Sequence, residues 1–186
     1  MPGNIPNILT WVRIIMIPIV VGVFYVPDSW IPDHSKNLVA TVLFVLAAVT
    51  DWIDGWLARK LHQTSPFGAF LDPVADKLMV AAALIMLVEL NRTSAPIAMV
   101  IIGREIAISA LREWMAKIGK SKSVAVNVLG KIKTVSQMVA IPLLLYHDPI
   151  GRLDPQSLGT VLIWLAALLT LVSMFSYMRR AVPALE

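Results

Sequence analysis

Asn37-Leu-Val-Ala-Thr-Val-Leu-Phe-Val-Leu-Ala-Ala-Val-Thr-Asp51-Trp-Ile-Asp54-Gly55-Trp-Leu-Ala58-Arg59 begins as a mostly apolar run and ends in two aspartates and an arginine. A few residues on, Gly68-Ala-Phe-Leu-Asp72-Pro-Val-Ala-Asp76 opens a second apolar run that continues to Leu90. On a helix, residues three and four apart share a face. Asp51, Asp54, Gly55 and Ala58 therefore line one stripe at the end of the first run, and Asp72 and Asp76 line another at the start of the second. The connection turns at Thr64-Ser65-Pro66-Phe67-Gly68 and is short, so the two helix ends are neighbours and their carboxylates can converge. A charge at a bilayer centre costs about 2.5–3.5 kcal/mol on insertion scales. Four carboxylates at one membrane edge need compensation, and a divalent metal supplies it.

The rest of the chain supports a membrane setting. Of 186 residues, 58% are hydrophobic, with a mean hydropathy of +0.75. Soluble domains hold about 45–50% apolar residues. A spanning helix needs about 20 mostly apolar residues. Six stretches qualify: 8–26, 37–56, 73–90, 95–114, 126–146 and 158–178. The expected fold is all-α: an integral membrane bundle of six transmembrane helices forming a single domain over 1–186. Trp30, Trp56, Trp114 and Tyr146 near span ends read as interfacial anchors. The start, Met1-Pro-Gly-Asn-Ile-Pro-Asn-Ile, has no basic n-region, so the first apolar segment is expected to stay as a transmembrane helix. The chain has no cysteine, which excludes disulfide and thiol chemistry. Its net charge of +4 is not gathered into a stripe with interleaved aromatics, which argues against nucleic acid as a partner.

Orientation follows from lysine and arginine. One set of span ends holds eleven: Arg59, Lys60, Lys77, Arg112, Lys117, Lys120, Lys122, Lys131, Lys133, Arg179 and Arg180. The opposite set holds three, Lys36, Arg92 and Arg152. The first set is placed in the cytoplasm, with both termini and all four aspartates on that side. His34 and His147 fall in the opposite loops and read as solvated. His62, in the loop between the aspartate pairs, has no ligand spacing.

Hard cations take oxygen ligands, commonly carboxylates and substrate phosphates, and four carboxylates suit two ions clamping a displacement at phosphorus. Gly55 and Gly68 clear space for a bulky phosphorylated ligand, Ala58 keeps the same face low, and Arg59 can meet phosphate oxygens bidentately. A purely structural reading, separate carboxylates at helix ends, accounts for Asp72 beside Pro73. It does not account for Asp51 and Asp54 near a helix C-terminal end, where the dipole disfavours anions.

The spacing D-x2-D-G-x2-A-R-x8-G-x3-D-x3-D resembles the motif of the CDP-alcohol phosphatidyltransferase family, with all eight fixed positions matched by Asp51, Asp54, Gly55, Ala58, Arg59, Gly68, Asp72 and Asp76. The resemblance implies that Asp51, Asp54, Asp72 and Asp76 hold two divalent ions, Mg²⁺ or Mn²⁺, and that Asp76 is also the general base. It implies that the CDP-linked donor is held by Gly55, Arg59 and Ser65, beside Ala58 and Gly68. The stretch from Asn7 to Thr10, Asn-Ile-Leu-Thr, resembles the family's additional nucleotide-contacting segment; capping the first helix is the alternative for Asn7 and Thr10. A homodimer in the bacterial cytoplasmic membrane, with the active site facing the cytoplasm, is also implied.

The acceptor is read from charges elsewhere. Arg104 and Glu105 lie inside the fourth span, where an ionisable residue is a functional candidate by default. Arg104 and Arg112 share a face, about 12 Å apart along the axis. Lys131 and Lys133 enter the fifth span from the same side, and Thr134 and Gln137 follow one turn on. This cationic set, with Arg104, Arg112 and Lys131 as the expected ligands, suits a phosphorylated acceptor. Pairing of Arg104 with Glu105 or Glu113 is the structural alternative. Asn4-Ile-Pro-Asn-Ile-Leu-Thr-Trp-Val-Arg13, Phe70 to Lys77, Arg104 to Trp114 and Gly130-Lys-Ile-Lys-Thr134 resemble the bacterial members of the family that make phosphatidylglycerophosphate. That resemblance implies CDP-diacylglycerol as donor and sn-glycerol 3-phosphate as acceptor. Inositol phosphate or an uncharged alcohol is the alternative acceptor. A small ion transporter is disfavoured, since transporters set charges near the midplane between repeats, whereas these cluster at one edge.

Overall fold

The computed structural model describes the backbone of residues 5–61, 66–119 and 128–181, and side chains at 9–53, 68, 70–119, 130–175 and 178. Six α-helices are present among the described residues: α1 Ile5–Gly22, α2 Asp33–Leu61, α3 Pro66–Glu89, α4 Ala95–Lys117, α5 Val128–Tyr146 and α6 Pro155–Ala181. A 3₁₀ turn, Val23–Tyr25, follows α1. There is no strand among the described residues, only an isolated bridge between Ile150 and Leu153.

The helices close a ring. α1 packs on α2, α2 on α5, α5 on α6, α6 on α4, α4 on α3, and α3 returns to α1; α3 also reaches α5 across the middle. The core at their meeting is built from alternating small and large side chains: Ala40, Phe44 and Ala47 on α2, Ala83, Leu84 and Leu87 on α3, Ala140, Ile141 and Leu144 on α5. Alanine lets helix backbones approach, and the leucines and phenylalanine fill what remains. α5 and α6 approach closely at Gly159. A Cβ added there would lie 2.8 Å from Leu144 Cγ and 3.2 Å from the Ala140 carbonyl oxygen. A side chain at this position would displace the Leu144 side chain and crowd the Ala140 carbonyl.

Outward faces are apolar. Met99, Ile106, Val161, Trp164, Leu168 and Phe175 are each 60% exposed or more. A contiguous apolar exterior marks contact with lipid or another protein. By length and composition, Asp33–Ile53 and Pro155–Phe175 are apolar enough to cross a membrane, and Leu9–Tyr25 is a shorter apolar helix. The other helices carry more charge: Asp72, Asp76 and Lys77 on α3, Arg104, Glu105, Arg112 and Glu113 on α4, Lys131 and Lys133 on α5.

Helices α2 and α3 depart furthest from the sequence expectation. α2 runs 29 residues, about 43 Å at 1.5 Å per residue, and extends beyond the expected span at both ends. α3 starts at Pro66, not at Pro73. Proline at the first helical position lacks only an N–H that has no helical partner, so Pro66 starts the helix, and Pro73 sits within it. Asp72 is therefore almost two turns inside α3, and a helix-terminus role for it is removed.

The pole remote from the aspartates is fastened by Arg92. Asn91, just past the end of α3, adopts the left-handed region at φ 56°, which turns the chain so that Arg92 faces back into the bundle. Its Nη1 donates to the carbonyls of Leu144 (3.2 Å) and Leu145 (2.6 Å), and its Nη2 to Asn37 Oδ1 at 2.7 Å. These are carbonyls that the last turn of α5 leaves without helical donors. The guanidinium also lies 5.8 Å over the Phe24 ring. Asn37 donates on to Asp148 Oδ2 at 3.0 Å, which His34 Nδ1 also meets at 2.9 Å. His147 Nδ1 lies 3.1 Å from Gln156 Oε1. Both histidines are exposed, as expected from sequence, and each also meets a polar partner at this pole.

Candidate active site

At the other pole, three of the four motif aspartates have described side chains. Asp51 comes from α2, and Asp72 and Asp76 come one turn apart from α3. A residue on α1 joins them. Arg13 Nη1 lies 2.7 Å from Asp76 Oδ1 and 3.0 Å from Asp51 Oδ1. Thr10, one turn before Arg13 on the same face, donates through Oγ1 to Asp72 Oδ1. Arg13 is 1% exposed, whereas Asp51 and Asp76 are 42% and 39% exposed. The positive charge is thus sealed behind the carboxylates, which open outward. A buried ion without partners would cost about several kcal/mol; two carboxylates on one guanidinium nitrogen offset that cost.

Arg13 has no role in the sequence reading. Its signal is nonetheless present there: it is an ionisable residue inside the first apolar stretch, three positions after Thr10.

A cavity of about 500 Å³ opens beside this frame, between α3, α4 and α5. Asp72, Asp76 and Lys77 form one wall, and Arg104, Arg112 and Lys133 supply positive charge from the facing helices. Arg104 is buried; its Nη2 donates to Ser173 Oγ on α6 at 3.0 Å and its Nη1 approaches Glu105 Oε1 at 3.4 Å. Lys133, 3% exposed, donates to the same Glu105 oxygen. The pairing of Arg104 with Glu105 and its position on the cavity wall therefore hold together. Glu105 is a shared brace that fixes a guanidinium from α4 and an ammonium from α5 at one edge of the cavity.

Lys131 does not line this cavity and is exposed. Two residues along a helix rotate a side chain by about 200°, so Lys133 takes the inward position and Lys131 the outward one.

A second cavity, about 250 Å³ and almost wholly apolar, lies between α2 and α5, lined by Phe44, Val45, Ala48, Val49, Trp52, Met138 and Pro142. A small cleft at Arg13, Asp51 and Asp76 shares Phe44, Ala48 and Met138 with it. The carboxylate frame thus adjoins a polar cavity on one side and an apolar one on the other.

The side chains of Asn7, Asp54, Ala58 and Arg59, the surroundings of Gly55 and the whole of Ser65 lie outside what the structure describes. Gly68 is buried at the start of α3. Among the described residues, no three carboxylate or imidazole groups are gathered closely enough to hold an ion. The donor set still fits a hard cation: carboxylate oxygens from α2 and α3 already meet on one positive group, the Arg13 guanidinium, and their outer faces stay open.

Comparison with known proteins gives this arrangement a context. The CDP-alcohol phosphatidyltransferase family profile matches residues 3–172. Proteins named CDP-diacylglycerol–glycerol-3-phosphate 3-phosphatidyltransferase are similar along almost the whole chain. The one from Salmonella typhimurium is 48% identical over 184 residues, covering 97% of this chain and 96% of its own. That from Pectobacterium atrosepticum is 49% identical over the same length and shares. That from Sodalis glossinidius is 50% identical over 182 residues, 96% of this chain and 94% of its own. With the aspartate frame, the cationic wall and the apolar cleft all inside the matched region, the chain belongs to the CDP-alcohol phosphatidyltransferase family.

Proposed function

We propose that this protein is an enzyme that transfers a phosphatidyl group from CDP-diacylglycerol to sn-glycerol 3-phosphate, releasing CMP and forming phosphatidylglycerophosphate. The similarity to full-length relatives carrying that name supports the reaction. The observation that carries the assignment of the site is the 500 Å³ cavity, which sets Asp72 and Asp76 on one wall and Arg104, Arg112 and Lys133 on the others. Few small ligands need both. An acceptor with a phosphate at one end and a hydroxyl to be deprotonated at the other does.

Arg112 and Lys133, with Arg104 behind them, bind the acceptor phosphate through charge-assisted hydrogen bonds. Asp76 takes the proton from the 1-hydroxyl. That oxygen bonds to the phosphorus bearing diacylglycerol, the bond from that phosphorus to the CMP oxygen breaks, and CMP leaves with the electron pair. Arg13 holds Asp76 Oδ1 and so fixes the carboxylate for this step. Asp51, Asp54, Asp72 and Asp76 would hold two divalent ions, Mg²⁺ or Mn²⁺, which supply charge neutralisation at the diphosphate. Gly55, Ala58, Arg59, Ser65 and Gly68, with Asn7 and Thr10, form the donor side. The apolar cavity between α2 and α5 gives the acyl chains a route to the lipid.

The six helices form one membrane domain, with the aspartate pole and both termini on the cytoplasmic side. The excess of lysine and arginine at that pole supports the orientation, and the exposed apolar belt supports the bilayer. A homodimer rests on family resemblance alone.

CMP release by membranes containing the protein tests the reaction. Release is expected on adding sn-glycerol 3-phosphate and divalent metal, and it should stop on chelation. Release driven instead by inositol phosphate or an uncharged alcohol would reassign the acceptor.

A further inference from the structure

Gln137 is a polar group in the cavity that the reaction above does not use. It lies on α5 one turn beyond Lys133 and therefore on the same face. It lines the cavity and is only 4% exposed. Its Oε1 has no hydrogen-bond partner among the described residues. Other neutral polar groups on the wall are satisfied locally: Thr134 Oγ1 donates to the Gly130 carbonyl at 2.9 Å, and Ser109 Oγ to the Glu105 carbonyl at 2.6 Å. A buried amide oxygen left without a donor is destabilising, and burying one in a cavity wall makes sense where a ligand completes it.

We infer that Gln137 determines acceptor specificity by hydrogen-bonding the secondary hydroxyl of the three-carbon acceptor. This rests on the reading of the cavity as the acceptor site. The arginines and Lys133 account for the acceptor phosphate, and Asp76 accounts for the attacking hydroxyl. A glycerol phosphate has one polar group left, the 2-hydroxyl, which both donates and accepts. The Gln137 amide has the matching pair of functions: Oε1 accepts and the amino group donates. An acceptor without that hydroxyl leaves the buried amide oxygen unpaired, and sites built around a hydroxyl reject analogues that lack it.

The test compares two acceptors on one preparation: sn-glycerol 3-phosphate and 3-hydroxypropyl phosphate, which lacks only the 2-hydroxyl. The ratio of their kcat/KM values does not depend on how much of the protein is folded. The native protein should prefer glycerol phosphate by roughly tenfold to a hundredfold. In Gln137→Leu, and in Gln137→Met as a second apolar replacement, the ratio should fall to within about threefold. A native ratio near one, or a native-like ratio in both variants, overturns the inference. Arg112→Ala separates it from the reading beneath. If that variant leaves KM for glycerol phosphate unchanged, the cavity is not the acceptor site. If KM rises and the Gln137 variants still discriminate, only the role of Gln137 falls.

Discussion

The two poles of the bundle are each built around a buried or half-buried arginine, and they use it in opposite ways. Arg92 directs its donors at the protein itself: two carbonyls at the end of α5 and the Asn37 amide, with its guanidinium over the Phe24 ring. Around it, Lys36 is held by Asp28 and Asp33, and Asp148 by Asn37 and His34. Arg13 faces carboxylates that are 42% and 39% exposed, beside a 500 Å³ cavity. One pole closes helix ends; the other holds carboxylates in place with their outer faces open. An arginine within an apolar bundle is thus diagnostic only through its partners. Arg92 meets main-chain carbonyls and an amide, whereas Arg13 meets half-exposed carboxylates beside a cavity.

The largest separation between the poles should come from Asp76→Asn. Turnover is expected to fall by about a thousandfold or more, since general-base catalysis contributes about 10²–10⁴, while the detergent-solubilised protein melts as before. CMP release near the native rate would remove Asp76 from the chemistry. Arg92→Ala should do the reverse. It strands two carbonyls and an amide, and a loss on the order of 2–3 kcal/mol is expected, read as a lower melting midpoint, with KM for both substrates unchanged in the folded fraction. A shifted KM for either substrate would mean that the two poles are coupled.

A smaller effect resides at Asp148. Partial burial raises its carboxyl, but the hydrogen bonds from Asn37 and His34 and the nearby histidine charges outweigh this and hold it below the ordinary carboxylate range. A carboxyl depressed in the folded state stabilises above its unfolded pKa, about 3.9, and loses that contribution as pH falls through the folded value. The stability gap between the native protein and Asp148→Asn should therefore be present at neutral pH. Its size is on the order of 1 kcal/mol for one such hydrogen bond, less where water screens it, and it should close below about pH 4. A gap that widens on acidification would contradict the assignment.

Much of this architecture is legible in the sequence. The carboxylate frame, the helix pattern and the choice of α4 and α5 for the cationic wall all follow from spacing, because i, i+3 and i, i+4 relations survive folding unchanged. The departures have definite causes. Proline commonly starts a helix, which favours Pro73; Pro66, seven residues earlier, satisfies the same rule and wins. Lys131 and Lys133 are two positions apart, and no local pattern decides which faces inward until α5 is packed on α2 and α6. The Arg92 network is not legible because its partners, Asn37, Leu144 and Leu145, lie more than fifty residues away. Arg13 is legible in principle, as a charge within an apolar helix, but its convergence on Asp51 and Asp76 depends on how α1 lies between α2 and α3.

The central claim is that the cavity between α3, α4 and α5 receives the phosphorylated acceptor. Its most direct test is the KM for sn-glycerol 3-phosphate in Lys133→Ala and Lys131→Ala, measured at saturating CDP-diacylglycerol. The cavity predicts a rise of about tenfold or more for Lys133→Ala, from loss of a charge-assisted hydrogen bond, and little change for Lys131→Ala. An unchanged KM in Lys133→Ala, with the rise appearing in Lys131→Ala, would place the acceptor elsewhere and contradict the account.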